Sequence, residues 1–134
     1  MGCGGSSQQT AAGREWHANA NVALRQLSQD VAATAVGGDS LGDARRALHD
    51  ESRLYALVMA YTDLGGCVAM MRNVGAPPAL RAKLARPCGP LARAAASFTA
   101  ATEGSNPHAL LRAGRDAELA LPLLVQALAA TRKA

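Results

Sequence analysis

The sequence predicts an all-α fold, an up-down-up-down antiparallel four-helix bundle with a flexible N-terminal tether. Of the 134 residues, 49% are hydrophobic but only 3% are aromatic. The core must therefore consist of aliphatic side chains and alanine, the residue with the highest helix propensity. Apolar residues recur at helical spacing in four segments with short connections, which favours antiparallel neighbours. The length fits one domain, which we assign to residues 14–134, with the tether at residues 1–13.

The chain begins with a polar segment and a first helix. Residues 1–13 (MGCGGSSQQTAAG) contain Gly, Ser, Gln and Thr with few apolar side chains, a composition typical of flexible tethers. From about Arg14 to Val36, the apolar residues are spaced to occupy one helical face. Gly37 and Gly38 follow, and we expect them to end this helix.

The second predicted helix extends to about Asn73. Ser40 precedes it as a candidate N-cap, and Asp43 stands three residues later, where a capping box usually has a Glu. The inward stripe is predicted to contain Leu41, Ala44, Leu48, Tyr55, Val58, Thr62, Gly66 and Ala69. Because residues 54–71 are apolar on more than one side, we expect this helix to be the most buried of the bundle.

Two adjacent glycines, Gly65 and Gly66, lie inside the second helical segment. Each weakens a helix by roughly 1 kcal/mol relative to alanine. Two explanations are open: a neighbouring helix approaches closely at this point, or the helix has a local break. Beyond Asn73, the turn at residues 75–78 (GAPP) leads into the third helix.

Prolines divide the second half of the chain. The third helix is expected to be interrupted at residues 87–90 (PCGP) and to resume as far as about Thr102. Asn106 then supplies an N-cap and Pro107 the first residue of the fourth helix. Pro122 lies inside this last helix, where we expect it to cause a kink.

Two cysteines are placed symmetrically about the second turn. The midpoint between Cys67 and Cys88 falls between Pro77 and Pro78. Each cysteine therefore lies about 15 Å along its helix from the turn, at the same height in an antiparallel pair. This placement predicts a disulfide, with two unreacted buried thiols as the alternative. A disulfide implies folding in an oxidising, extracytoplasmic compartment.

The first residues carry a resemblance to a known class. Gly2-Cys3-Gly4-Gly5-Ser6-Ser7 resembles the start of a bacterial lipoprotein, of actinobacterial type, after removal of its signal segment. The resemblance implies that Cys3 is acylated, that Gly2 is the small residue preceding it, and that the polar segment is a tether. It also requires a native start upstream of Met1, and it implies a membrane-anchored, extracytoplasmic protein.

The same residues are similar to the N-termini of dual-acylated eukaryotic or viral proteins. In that case Gly2 carries a myristoyl group and Cys3 a palmitoyl group, with Ser6 completing the acylation pattern. Two acyl chains matter because one myristoyl group gives only marginal membrane binding. This alternative places the protein on the cytosolic face of a membrane. An unmodified N-terminus is the third alternative.

The charges of the chain are distributed unevenly. No acidic residue occurs from Leu64 to Thr102, and the predicted topology gathers basic residues at the end of the bundle that carries the tether. We call this group the basic pole and expect it to face anionic lipid headgroups. The alternative is ordinary solvated side chains. The pole consists of Arg14, Arg72, Arg81, Lys83, Arg86, Arg132 and Lys133.

The sequence contains no recognisable catalytic or cofactor motif. His17, His49 and His108 have no partner at a metal-ligand spacing, so we predict no metal site and no cofactor. The net charge of +4 is modest and no aromatic residues alternate with the basic ones, which argues against nucleic acid as a partner. No run approaches the ~20 apolar residues of a membrane span. We therefore expect a protein that is not an enzyme.

These observations favour a lipid-anchored bundle that serves as a binding or scaffolding module at a membrane surface. Its protein partner, or a second copy, is expected to bind through the second helix. One alternative is a small-molecule or haem carrier with a cavity lined by Tyr55, Met59 and Met70. A second is a myristoylated and palmitoylated adaptor on the cytosolic face.

Overall fold

The computed structural model describes the backbone of residues 2–133 and the side chains of residues 15–133. Within this range the regular structure is entirely helical, without strands, which confirms the all-α prediction. The helices are α1 (Gly2–Ala33), α2 (Leu41–His49), α3 (Glu51–Gly65), α4 (Cys67–Val74), α5 (Pro78–Ala85), α6 (Cys88–Gly104), α7 (Pro107–Leu119) and α8 (Leu121–Lys133), and a 3-10 turn spans Thr34–Gly37.

The N-terminal predictions fall mostly on undescribed side chains. Helix α1 begins at Gly2, so its backbone includes the segment assigned to the tether. The side chains of residues 1–14, with Cys3 and Arg14 among them, lie outside the described part of the chain. Acylation and the division between tether and bundle at residue 13 therefore stay predictions.

The end of the first helical segment agrees with its prediction. After α1, the 3-10 turn continues to Gly37, and Gly38 has a φ of 79°. A Cβ at Gly38 would clash with the side chain of Asp43, in addition to the strain of that left-handed φ. Glycine is therefore required for the chain to turn from α1 into α2.

Two predicted N-caps are confirmed, and a third was missed. The Asp43 N–H donates to Ser40 Oγ at 3.1 Å, and the Ala109 N–H donates to Asn106 Oδ1 at 3.2 Å. Asp50 has an extended backbone and accepts the Arg53 N–H at 3.0 Å. This cap starts α3, so the predicted continuous second helix was wrong at Asp50.

At the glycine pair, both open explanations hold. Helix α3 ends at Gly65 and α4 begins at Cys67, with a bend of 49° between them. A Cβ built on Gly65 would lie 3.2 Å from the Cβ of Ala95 on α6, which is closer than most real contacts. The missing side chain at Gly65 thus allows close packing against α6 where the chain bends.

The proline interruptions occur close to their predicted places. Helix α5 ends at Ala85, and α6 begins at Cys88, directly after Pro87. Helix α7 ends at Leu119, and α8 begins one residue before Pro122. Proline has no N–H to donate, and its ring clashes with the carbonyl four residues earlier. The third and fourth predicted segments are therefore each divided at a proline, whereas the second is divided at Asp50 and at Gly66.

A single core cluster joins the helices. Helix α1 packs against α3, α4 and α8, while α3 packs against α6. The most extensive helix–helix contact joins α6 and α7. Both helices bury alanines without solvent exposure, whose small side chains favour close packing, and these are Ala94, Ala101, Ala109, Ala113 and Ala117. The rings of Tyr61 and Phe98 stack at 4.5 Å and link α3 to α6.

The predicted inward stripe of the second segment was wrong between residues 54 and 71. Leu57, Tyr61 and Leu64 face the core, whereas Tyr55 and Val58 of the predicted stripe are exposed. Both sides of this segment carry apolar residues, so periodicity did not distinguish the buried side.

No single helix among the described residues is long and apolar enough to cross a membrane. Helices α3 and α4 meet the length and hydropathy criteria only when they are taken together across their bend. On α3, part of this apolar character lies at the surface, because several large apolar side chains are exposed there.

Candidate functional site

The predicted disulfide is confirmed and closes the α4–α5 hairpin. Cys67 and Cys88 have an S–S distance of 2.11 Å and a Cα–Cα distance of 5.3 Å. Cys67 is the first residue of α4 and Cys88 the first of α6, and both side chains are buried. The disulfide therefore fixes both ends of the segment that contains α4, α5 and the turn between them.

A groove of about 420 Å³ lies between α4 and α5, and we call it the hairpin groove. Its lining is mostly apolar and includes Val68, Met71 and Leu84. Two predicted members of the basic pole, Arg72 and Arg81, line it as well. The structure thus places two guanidinium groups beside an apolar floor.

A second, smaller groove lies between α5 and α8. Lys83 and Arg86 from α5 and the segment following it meet Lys133 from the last turn of α8 around about 280 Å³. The rest of the lining combines aliphatic side chains, Leu123 and Ala127 among them, with the amide of Gln126. Three further predicted members of the basic pole are therefore brought together, although 47–50 residues separate the α5 cations from Lys133.

The basic pole is free of ion pairs among the described side chains. The ion pairs among the described side chains lie elsewhere, on α2 and at the start of α3, where they join Arg46 to Asp43 and Arg53 to Asp50. Arg132, the remaining described member of the pole, is exposed on α8. Because no carboxylate of the described residues pairs with them, these cations retain their attraction for an anionic ligand or surface.

The exposed apolar surface of α3 lies on the predicted second helix, but the sequence assigned its side chains to the inward stripe or to a carrier cavity. Tyr55 is 68% exposed, Met59 53% and Val58 41%. Val58 and Thr62 also line a groove of about 470 Å³ between α3 and α6, which has no charged side chain in its lining. We call this surface, with its groove, the α3 face. Tyr and Met are enriched in protein–protein interfaces.

The residues named for a carrier cavity do not meet. Tyr55 and Met59 point to the α3 face, whereas Met70 lines a groove beside Asn19 and Val22 of α1. The structure thus assigns these three side chains to two different surfaces.

The histidines are far from any metal-ligand cluster in the described chain. His17 is half-buried and stacks on the ring of Trp16 at 4.0 Å, while His49 and His108 are exposed. Among the described residues there is no group of three or more His, Cys, Asp or Glu that could hold a metal ion.

A buried polar cluster lies where α1 meets α3. Asp30 is 8% exposed, and burial, followed by the nearby charge of Asp63, raises its pKa to about 6. The Gln26 Nε2 donates to Asp30 Oδ1 at 3.4 Å and partly opposes that shift in pKa. Burial also raises the pKa of Tyr61 to about 12, and its hydroxyl has no hydrogen-bond partner of normal geometry among the described residues.

Comparison with protein-family models, with curated proteins and with solved structures finds no match to the chain. The assignment of function therefore depends on the chemistry of the α3 face, the basic grooves and the disulfide.

Proposed function

We propose that this protein is a non-catalytic binding or scaffolding module, held at a membrane surface by lipid on Cys3, which binds a protein through the α3 face. One observation carries the proposal: large apolar side chains, Tyr55 and Met59 above all, stand in solvent on one side of α3. Burying such a side chain contributes about 1.5–3 kcal/mol. Exposed apolar patches of this kind mark interaction sites in soluble domains.

The neighbouring groove strengthens this proposal. Its walls contain Val58, Gly65 and Ala95, and the absence of charged lining side chains means that a partner need not desolvate an ion there. The close approach of α3 and α6 at Gly65 gives the groove a fixed floor. A rigid, apolar depression beside an exposed Tyr and Met is suited to receive a side chain of a partner.

The arrangement at the membrane is also part of the proposal. The proposed up-down-up-down bundle has four antiparallel segments, which are α1, α2–α4, α5–α6 and α7–α8. The contacts of α4 with α1 and of α5 with α8 support a common pole for the N-terminal region, the α4–α5 turn and the end of α8. The disulfide favours the extracytoplasmic side of the membrane.

A second copy of the chain is the first partner to test. Sedimentation equilibrium of the full chain across a concentration series should show reversible dimers. The double variant Tyr55→Ser, Met59→Glu should be monomeric over the same range. Val125→Glu, an exposed substitution on α8, is the matched control and should leave the dimer intact. A monomeric wild type, or dimers that persist in the α3 variant, would contradict self-association through this face.

The proposed lipid anchor on Cys3 is tested separately, by mass spectrometry. Native protein isolated from membranes should carry the mass of acyl groups on the N-terminal peptide that contains Cys3. Finding that peptide unmodified would refute the anchor without affecting the α3 face.

A further inference from the structure

We propose that the hairpin groove is a binding site for a single-chain anionic amphiphile of the fatty-acid type. The acyl chain lies on the apolar floor, and Arg72 and Arg81 hold the carboxylate. The site is separate from the α3 face and does not depend on the lipid proposed for Cys3. In this proposal Arg72 and Arg81 of the basic pole bind one carboxylate, whereas the sequence predicted only a general attraction to anionic lipid headgroups.

The floor of the groove suits an acyl chain. Val68 is 52% exposed and Ala85 is exposed as well, while the buried side chains of Met71 and Leu84 lie behind them. Covering this surface removes apolar area from water, which is the main driving force for binding a hydrocarbon chain. A volume of about 420 Å³ falls within the size range of small-molecule sites. A two-chain lipid in a bilayer would present only its headgroup here.

The groove is open beside Gly75, in the turn between α4 and α5. This residue ends α4 with a φ of 74°, a left-handed conformation that favours glycine. A Cβ built on Gly75 would meet no atom within 4 Å, so the space beside it is unfilled. The turn therefore leaves room at the rim, next to the two arginines.

Arg81 is positioned for an anion before any ligand arrives. Its Nε donates to the Ala76 carbonyl oxygen at 3.2 Å. This contact uses one of the five guanidinium N–H groups and leaves the four on the Nη atoms for a carboxylate. Ala76 itself is buried, so its carbonyl is a fixed anchor for the side chain.

The charges around the groove favour an anion over any other head group. No acidic residue occurs between Leu64 and Thr102, which includes the whole α4–α5 hairpin. In the described part of the chain, Arg72 and Arg81 form no ion pair that a ligand would have to displace. A carboxylate therefore meets two uncompensated cations, and a neutral amphiphile of the same length loses that attraction.

The disulfide supplies preorganisation. Cys67 is adjacent to Val68 on the floor, and its bond to Cys88 closes a loop with a sequence separation of 21 that includes both walls. A tied hairpin loses less conformational entropy when a ligand orders it, so the affinity is higher than in an open hairpin. Opening the disulfide should weaken binding without removing either arginine.

The test is isothermal titration calorimetry of the full chain with dodecanoate below its micelle concentration. The wild type should bind one equivalent, and methyl dodecanoate, which has the same chain without the charge, should bind at least about tenfold more weakly. Arg72→Ala and Arg81→Ala should each weaken dodecanoate binding by about tenfold. Arg93→Ala is the matched control, because Arg93 is exposed on α6 outside the groove and should leave the affinity unchanged.

Three results would overturn the proposal: no binding of dodecanoate to the wild type, equal binding of the methyl ester, or arginine variants with wild-type affinity. Vesicles of phosphatidylglycerol form the second arm. Binding to these vesicles without binding to dodecanoate would assign the arginines to a membrane surface and refute a groove for one chain. Val68→Asp, at an exposed position, should abolish dodecanoate binding while the helical circular dichroism is retained.

The contribution of the disulfide to dodecanoate affinity is tested with the double variant Cys67→Ser, Cys88→Ser. This variant should retain the helical circular dichroism and bind dodecanoate more weakly than the wild type. The α3 variant Tyr55→Ser, Met59→Glu should bind dodecanoate as the wild type does. Loss of dimers with retained dodecanoate binding separates the α3 face from the hairpin groove, so the two proposals fail independently.

Discussion

At the scale of single residues, the carboxyl group of Asp30 has the largest consequence for stability. Its side chain is buried between α1 and α3, and this burial, together with the charge of Asp63, raises the pKa of Asp30 to about 6 from an ordinary value of 3.8. A carboxyl group whose pKa is raised by folding binds its proton more tightly in the folded state. Its contribution to stability is therefore lost as the pH rises through the interval from about 4 to about 6.

We expect Asp30→Asn to remove this loss. At pH 7.5 the variant should have a free energy of unfolding about 1–3 kcal/mol above that of the wild type, since a neutral amide avoids the cost of burying a charge. Below pH 4 the two proteins should be nearly equal. Urea unfolding at both pH values measures the difference, with Asp39→Asn at an exposed position as the control. Equal stabilities at pH 7.5 would contradict the burial argument.

At the scale of helices, we expect replacement of glycine by alanine to change the free energy of unfolding differently at two helical positions. Gly65 lies where α3 meets α6, and a Cβ there would be 3.2 Å from that of Ala95. Gly114 lies inside α7, and a Cβ there would meet nothing within 4 Å. Alanine improves helix propensity at both positions, but only at Gly65 does it crowd a neighbouring helix.

Gly114→Ala should therefore raise the free energy of unfolding by about 0.5–1 kcal/mol. Gly65→Ala should give no such gain, because crowding against Ala95 offsets the propensity term. Equilibrium unfolding in urea compares the two variants directly. A stabilisation by Gly65→Ala as large as that by Gly114→Ala would show that α3 and α6 move apart without cost.

Helix ends were more predictable than helix faces. The caps at Ser40 and Asn106 follow from side chains that accept local N–H groups, so a short stretch of sequence specifies them. Asp50 makes the same kind of cap but follows a helical pattern without a glycine or proline, and the break was missed. On α3, apolar residues occupy both sides, so the choice between Leu57 and Val58 as the buried residue depends on the packing of other helices.

At the scale of the whole molecule, the disulfide was the long-range contact that the sequence predicted best. Its prediction needed only the equal distances of Cys67 and Cys88 from the turn. The basic grooves needed more, because Lys133 meets Lys83 only through the packing of α8 on α5. The sequence named the residues of the predicted basic pole, but it did not predict that five of them line two separate grooves.

The disulfide should stabilise the whole fold by restricting the unfolded chain. Closing a loop of this length contributes about 3 kcal/mol in the chain-entropy model. Cys67→Ala with Cys88→Ala, which fills the buried sites with small apolar side chains, should lower the free energy of unfolding by about that amount. Urea unfolding of wild type with and without a thiol reductant provides the comparison. A wild type whose midpoint is unaffected by full reduction would be inconsistent with this expectation.

The alanine contact between α6 and α7 has a consequence for motion. Helices α6 and α7 bury several alanines, among them Ala94, Ala101 and Ala113, whose methyl groups have no rotamers to change, so we expect this pair to move as one body. The α4–α5 hairpin, in contrast, is short and joined by a turn with an unfilled space at Gly75. Amide hydrogen exchange should therefore be slowest in α6 and α7. We therefore expect ligand binding to cause a small local movement of the α4–α5 hairpin, whose amplitude the Cys67–Cys88 disulfide limits.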